Sequence, residues 1–178
     1  VTSSSDARDQ RIDELFAQFS ARPSAQAVFE ELEQALRAAE RWVHLAGAYE
    51  VRLATLADPG ARAEQFLRLG CVLEDQLAAP RAALRRFKEA RALDPRRPEL
   101  LARLRQLLAR QGDRMAALQI AEVEEQLDLA TPARALLLFE TAELWGALGE
   151  QGELRRRLEE ALRLDPSLAG AQRRLEEL

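Results

Sequence analysis

Apolar residues recur along this chain in short stripes at helical spacing, interrupted by proline and glycine. Ile12, Leu15, Phe16 and Phe19 fall at i, i+3, i+4 and i+7, one face of a helix predicted over residues 6–19. Arg22-Pro23-Ser24 ends that stripe, and Ser24 stands where a cap for a second helix, reaching to residue 39, is expected. Trp42, Val43, Leu45, Ala46, Tyr49 and Leu53 mark a third helix, stopped by Asp58-Pro59-Gly60. The same reading predicts helices at 61–77, 80–93, 98–110, 114–129, 132–148, 152–164 and 167–178. Joints this short oblige consecutive helices to pack antiparallel.

The punctuation is periodic. Asp58-Pro59, Asp94-Pro95, Thr131-Pro132 and Asp165-Pro166 set prolines 36, 37 and 34 residues apart. Proline cannot continue a helix, and the Asp or Thr before it is suited to capping the next one. A period in the thirties points to stacked helical hairpins. Within the intervals, one copy reads Phe66, Leu69-Gly70, Leu73, Ala83, Phe87, Ala90 and Pro95. The final copy keeps Leu138, Ala142 in the glycine slot, Trp145, Gly149, Ala161 and Pro166, with Leu154 where a small residue is expected. The middle copy keeps Leu101, Leu104, Leu108, Ala117 and Ala121, but carries Arg105 in the glycine slot and Glu124 in the later alanine slot. A looser helix approach is expected there.

These residues resemble the tetratricopeptide repeat (TPR), most clearly over 61–95 and 132–166. The resemblance implies an all-α, right-handed superhelix of antiparallel helical hairpins. It would form one domain over residues 1–178: an N-terminal helix at 6–20, hairpins at 24–59, 61–95, 98–130 and 132–166, and a capping helix at 167–178. Leu168, Ala171, Leu175 and Leu178 form the apolar stripe of that cap, which keeps the last repeat from exposing its core. HEAT-like helical pairs, the nearest alternative, have longer periods of about 40–47 residues.

Composition agrees. Of the 178 residues 47% are hydrophobic and 31% charged, too apolar for a disordered chain, and the dominant Ala, Leu, Glu and Arg are strong helix formers. The two isoleucines, Ile12 and Ile120, illustrate how little β-branched material a sheet would have. Lys88 is the only lysine and asparagine is absent, which fits a GC-rich bacterial coding sequence. No run approaches the ~20 apolar residues of a membrane span, and the opening residues Val1 to Asp6 lack a targeting pattern, so a cytoplasmic location is expected.

Candidate chemistry is sparse. A single histidine, His44, cannot build a multi-histidine metal site, and its place between Val43 and Leu45 suggests a helix-face residue. The lone Cys71 excludes an internal disulfide, and Glu74 and Asp75 nearby argue against a reactive thiolate. Adjacent carboxylates such as Glu124-Glu125 and Glu159-Glu160 diverge by about 100° on a helix and make no acid/base dyad. A non-catalytic protein without cofactor or metal is therefore expected.

Charge is more informative. Residues 81–114 hold eleven basic against four acidic residues, whereas 115–153 hold eight acidic residues against Arg134. Ion pairing between facing helices would neutralise both blocks. The alternative is a structural role in which these blocks join copies of the chain, with a homodimer as the simplest form. Nucleic-acid binding is not expected at a sequence pI near 5.3, nor is a membrane partner.

The TPR resemblance implies a protein–protein interaction module whose concave side, lined by the first helix of each hairpin, holds a peptide or protein segment. It assigns that side to Leu67, Cys71 and Glu74, to Ala102, Gln106 and Ala109, and to Phe139, Glu143 and Gly146. Family members that grip a C-terminal carboxylate do so with Lys and Asn; this chain has no Asn and one Lys, so an apolar or basic segment is the better fit.

Overall fold

A computed structural model describes residues 4–178, with side chains from Asp6 onward; the opening Val1-Thr2-Ser3 lies outside the described residues. Among the latter there are ten helices and no strand: α1 (Ser4–Ala21), α2 (Gln26–Ala38), α3 (Trp42–Leu53), α4 (Pro59–Asp75), α5 (Pro80–Leu93), α6 (Pro98–Arg110), α7 (Arg114–Glu125), α8 (Thr131–Ala147), α9 (Gln151–Leu164) and α10 (Ala169–Glu176). They pack as two compact units divided between Asp94 and Pro95, with α1–α5 in the first and α6–α10 in the second.

In the first unit the predicted stripe of α1 is buried at Ile12, Leu15 and Phe19. Phe19, Phe29 and Tyr49 stack in a tilted ladder with ring centroids 5.7 and 5.9 Å apart, tying α1, α2 and α3 together. Arg52 lies 5.4 Å from the centre of the Phe29 ring and donates to the Pro23 carbonyl at 2.7 Å. Ser24, expected as a cap, lies one residue short of that position: α2 starts at Gln26, with Ala25 at the cap and no side-chain bond. Val43, part of the stripe read for α3, is 69% exposed; Leu45, Ala48, Tyr49 and Leu53 form the inner face instead.

A polar cluster joins α2, α3 and α4. The buried Tyr49 hydroxyl donates to Glu33 Oε1 at 2.6 Å, and Arg37 donates to both Tyr49 Oη and Glu33 Oε1 at 2.7 and 3.0 Å. Arg68 reaches the other Glu33 oxygen at 3.4 Å. Burial, reinforced by Glu33, holds the Tyr49 phenol well above its usual range. The α2–α3 contact is less extensive than that between α4 and α5. In the α4–α5 hairpin Phe87 lies against the bare Cα of Gly70, where any Cβ would enter the ring's van der Waals envelope. Ala63, Ala83 and Ala90 are fully buried in the same hairpin.

In the second unit α6 pairs with α7 and α8 with α9, and the first of these pairs packs less extensively. Gly112 and Gly149 turn the two hairpins at φ 84° and 89°, in the left-handed region. The tip of α10 closes the unit: Ala171 is buried with Ala142, Leu154 and Leu158, and Leu168 and Leu175 cover them. Leu178, expected on that stripe, follows the end of the helix and is 41% exposed.

The punctuation works unevenly. Asp58 caps α4, accepting from the Ala61 N–H at 2.7 Å. Asp94 and Asp165 instead terminate α5 and α9, because Pro95 and Pro166 sit in the turns and the next helices begin later. Thr131 is already the first residue of α8, behind Ala130.

Candidate functional site

The helix stripes that do not enter the core of the second unit converge along α6, α8 and α10. Ala102, Gln106 and Ala109 recur on one side of α6 at spacings of four and three; Leu136, Glu140 and Glu143 do so on α8. The two helices are bridged by Gln106, whose Nε2 donates to Glu140 Oε1 at 3.0 Å, and by Arg105, which donates to the other Glu140 oxygen.

Above this bridge lies a trough. Its central depression, about 380 Å³, is lined by Gln106, Ala109 and Arg110 from α6 and by Phe139, Glu140, Glu143 and Leu144 from α8. A second depression of about 230 Å³ adjoins it toward Pro98, with Ala102, Ala133, Leu136 and Leu137 in its wall. On the opposite side Phe139 and Glu143 share a third depression with Gly170, Arg173 and Arg174 of α10. Gly170 lets α10 approach: a Cβ there would stand 2.9 Å from the Phe139 ring. Glu143 accepts from Arg174 Nε at 3.1 Å.

Beneath the trough Arg105 and Glu124 form a buried ion pair, Nε to Oε2 at 2.6 Å. Burial works against the Arg105 charge, but the bonds and fields of Glu124 and Glu140 outweigh it and raise its pKa. For Glu124 the balance is reversed. Burial, aided by the neighbouring charges of Glu140 and Glu125, outweighs Arg105 and pushes the carboxyl above the usual range. One cation thus serves two carboxylates, and it fills the slot where the repeat signature has glycine.

Five of the nine residues assigned from the sequence meet in this trough: Ala102, Gln106, Ala109, Phe139 and Glu143. Gly146 does not. Its Cα is turned to Leu154 of α9, where it admits that side chain. In the first unit Leu67 and Cys71 line a separate shallow pocket with Arg37, Glu64, Arg68 and Asp75, while the half-buried Glu74 lies outside this lining. Glu140, Leu136 and the α10 arginines were not anticipated. The helical spacing of Leu136, Glu140 and Glu143 carried a signal for the first two, but α10 read only as a cap.

His44 is exposed and meets Phe16 edge-on, with ring centroids 6.0 Å apart. Among the described residues no cluster of His, Cys, Asp and Glu could hold a metal ion, and no helix is long and apolar enough to cross a membrane.

No family model matches the chain, and no curated protein sequence is significantly similar to it. Solved structures are similar. YrrB, described as a TPR protein with an unusual peptide-binding site, aligns with a TM-score of 0.73 at 18% identity, covering 98% of this chain and 86% of its own. MamA from Desulfovibrio magneticus RS-1 aligns at 0.69 and 17% identity, covering 84% and 80%. PilF from Pseudomonas aeruginosa aligns at 0.68 and 17%, covering 93% and 72%.

Proposed function

Starting from the tetratricopeptide fold that these likenesses establish, we propose that the chain is a non-catalytic interaction module whose α6–α8–α10 trough holds a segment of a partner protein. The observation that carries this reading is the convergence of Ala102, Gln106, Ala109, Phe139 and Glu143 on one continuous surface. Its floor is Ala109, Leu144 and the half-buried Phe139 ring, a flat apolar surface able to take an aliphatic or aromatic side chain. Its polar groups are already engaged with one another, Arg105 with Glu124 and Glu140, and Glu143 with Arg174. Such a surface suits holding rather than transforming. The peptide-binding site described for YrrB supports the reading by analogy of fold. Leu67 and Cys71 would make a separate contact on the first unit.

The test begins with peptides selected by display against the native chain. Phe139→Ala combined with Glu143→Ala is expected to weaken their binding at least about tenfold, as loss of an aromatic anchor does. Circular dichroism would verify that the variant remains folded. Peptides that bind the variant as tightly as the native chain would count against the trough.

A further inference from the structure

Ion pairing consumes only part of each charge block: Glu122, Asp128 and Glu150 of the acidic one are exposed without an ion pair. Of the acids in 115–153, Glu124 and Glu140 are tied to Arg105, Glu125 to Arg157, Glu143 to Arg174 and Glu153 to Arg156. In 81–114, Arg86 is held by Glu50 and Glu89. Arg81, Arg85 and Lys88, however, make no ion pair or hydrogen bond among the described residues, and all three are exposed. They fall at i, i+4 and i+7 on α5, within an arc of about 60°, and Ala92 follows at i+11. Arg91 and Arg114 are likewise without an ion pair, but Arg91 lies off this arc and Arg114 on α7, so Arg81, Arg85 and Lys88 alone form a ridge, about 10 Å long on one helix.

We propose that this ridge on α5 docks α1 of a second copy of the chain. The outward face of α1 repeats its spacing with the opposite sign: Asp6, Gln10, Asp13 and Ala17 are exposed at i, i+4, i+7 and i+11. Laid side by side in register, the two faces set Asp6 against Arg81 and Asp13 against Lys88. The Gln10 amide oxygen then accepts from Arg85, and Ala17 meets Ala92, where small side chains allow the backbones to approach. Both surfaces belong to the first unit, so two copies exchanging α1 for α5 use each surface once per copy, as a closed two-fold pair requires. A nucleic acid or an anionic bilayer needs a sustained basic face. Three cations on a chain of net charge −4 do not provide one. The contact is independent of the trough and replaces the acidic 115–153 block with α1 as the complementary surface.

Sedimentation velocity on the full chain tests the contact. At about 0.01 M salt, where charges act over ~30 Å, a dimer of twice the 20.0 kDa chain mass is expected; at about 1 M, with a range of ~3 Å, the monomer. At low salt, Arg81→Glu with Arg85→Glu and Lys88→Glu should be monomeric, as should Asp6→Lys with Asp13→Lys. All five substitutions together should restore the dimer. A monomer at both salt concentrations, a dimer that neither reversal affects, or a combined variant that stays monomeric would overturn the proposal. The unaltered chain gives a second measurement, because Lys88 is its only lysine. Carbodiimide coupling of a mixture of light and isotopically heavy copies should join Lys88 to Asp13 in mixed-isotope peptides. Coupling of Lys88 only within single copies, or only to another helix, would overturn it equally.

Discussion

Leu154 of α9 extends its Cδ2 to 2.9 Å from the point that a Cβ on Gly146 of α8 would occupy. A leucine thus stands in a slot of the second helix that the repeat signature gives to a small residue, and the first helix supplies the missing space. Gly→Ala in a helix ordinarily gains about 1 kcal/mol, but here the fully buried Leu154 must be displaced at a cost of about 1–3 kcal/mol. Gly146→Ala should therefore lower stability by about 1 kcal/mol. In a Leu154→Ala background, itself weaker by about 2–5 kcal/mol, the same change should become stabilising. Urea denaturation of the four proteins measures this coupling; Gly146→Ala having the same sign in both backgrounds would refute it.

Why this pair was not anticipated shows which parts of the molecule the sequence makes legible. Helix positions were, because an apolar stripe such as Ile12, Leu15, Phe19 is written within a single helix and survives any tertiary arrangement. Most of the trough was too, since Gln106, Ala109, Phe139 and Glu143 follow from the register of the repeat. Gly146 does not join the other assigned residues in the trough lining, because its place is set by the size of a residue across the hairpin, Leu154. Asp94 and Asp165 were expected to cap the next helices, but Pro95 and Pro166 turn the chain before those helices begin. The charge blocks were legible in part: the expected ion pairing between facing helices occurs where Arg105 meets Glu124 and Glu140, but net charge counted along the chain does not say which residues pair.

Arg105 and Glu124 replace a small-residue contact with a buried charged one. Removing only the cation, as in Arg105→Ala, strands Glu124 beside Glu140 in the interior and should cost about 3–5 kcal/mol. Replacing both by apolar residues of similar volume, Arg105→Met with Glu124→Leu, should come within about 1 kcal/mol of the parent or exceed it. Glu140 is less enclosed and can turn to solvent or to Gln106. Guanidinium denaturation distinguishes the two variants. A double variant as unstable as Arg105→Ala would show that the pair contributes more than desolvation cancels.

The same site predicts a pH effect of unusual sign for a carboxylate in an ion pair. The Glu124 carboxyl sits above its ordinary value of 4.5 in the folded chain, so the folded state binds this proton more tightly than the unfolded one. Its contribution to stability is then fully present below 4.5 and is lost as pH rises through the folded-state pKa. Glu124→Gln cannot take up that proton. The stability of the native chain relative to this variant should therefore increase on acidification from neutral pH toward 4.5, measured by thermal unfolding of both at each pH. A difference that stays flat or moves the other way would remove Glu124 from the titrating groups.

The α4–α5 joint contains a residue in a conformation that its side chain disfavours. Ala78 has φ 48°, while the turns of the two following hairpins place Gly112 and Gly149 in the left-handed region. The chain is held in this path from both sides: the Leu77 N–H donates to the Val72 carbonyl at 3.1 Å and the Ala79 N–H to the Leu73 carbonyl at 2.8 Å. A left-handed Ala costs about 1–2 kcal/mol through the contact of its Cβ with the following carbonyl oxygen. Glycine avoids that clash but gives back about 0.4–1 kcal/mol by loosening the unfolded chain. Ala78→Gly should accordingly stabilise the protein by about 0.5–1 kcal/mol, a rise of roughly 1–4 °C in thermal midpoint for a chain of this size. Gly149→Ala should shift it the opposite way by a similar amount, since no neighbour lies within 4 Å of its Cβ position and only the backbone resists. If Ala78→Gly instead lowered the midpoint, the methyl group of Ala78 would have to contribute packing that outweighs the strain, and the turn would be set by side-chain contact rather than by its two backbone bonds.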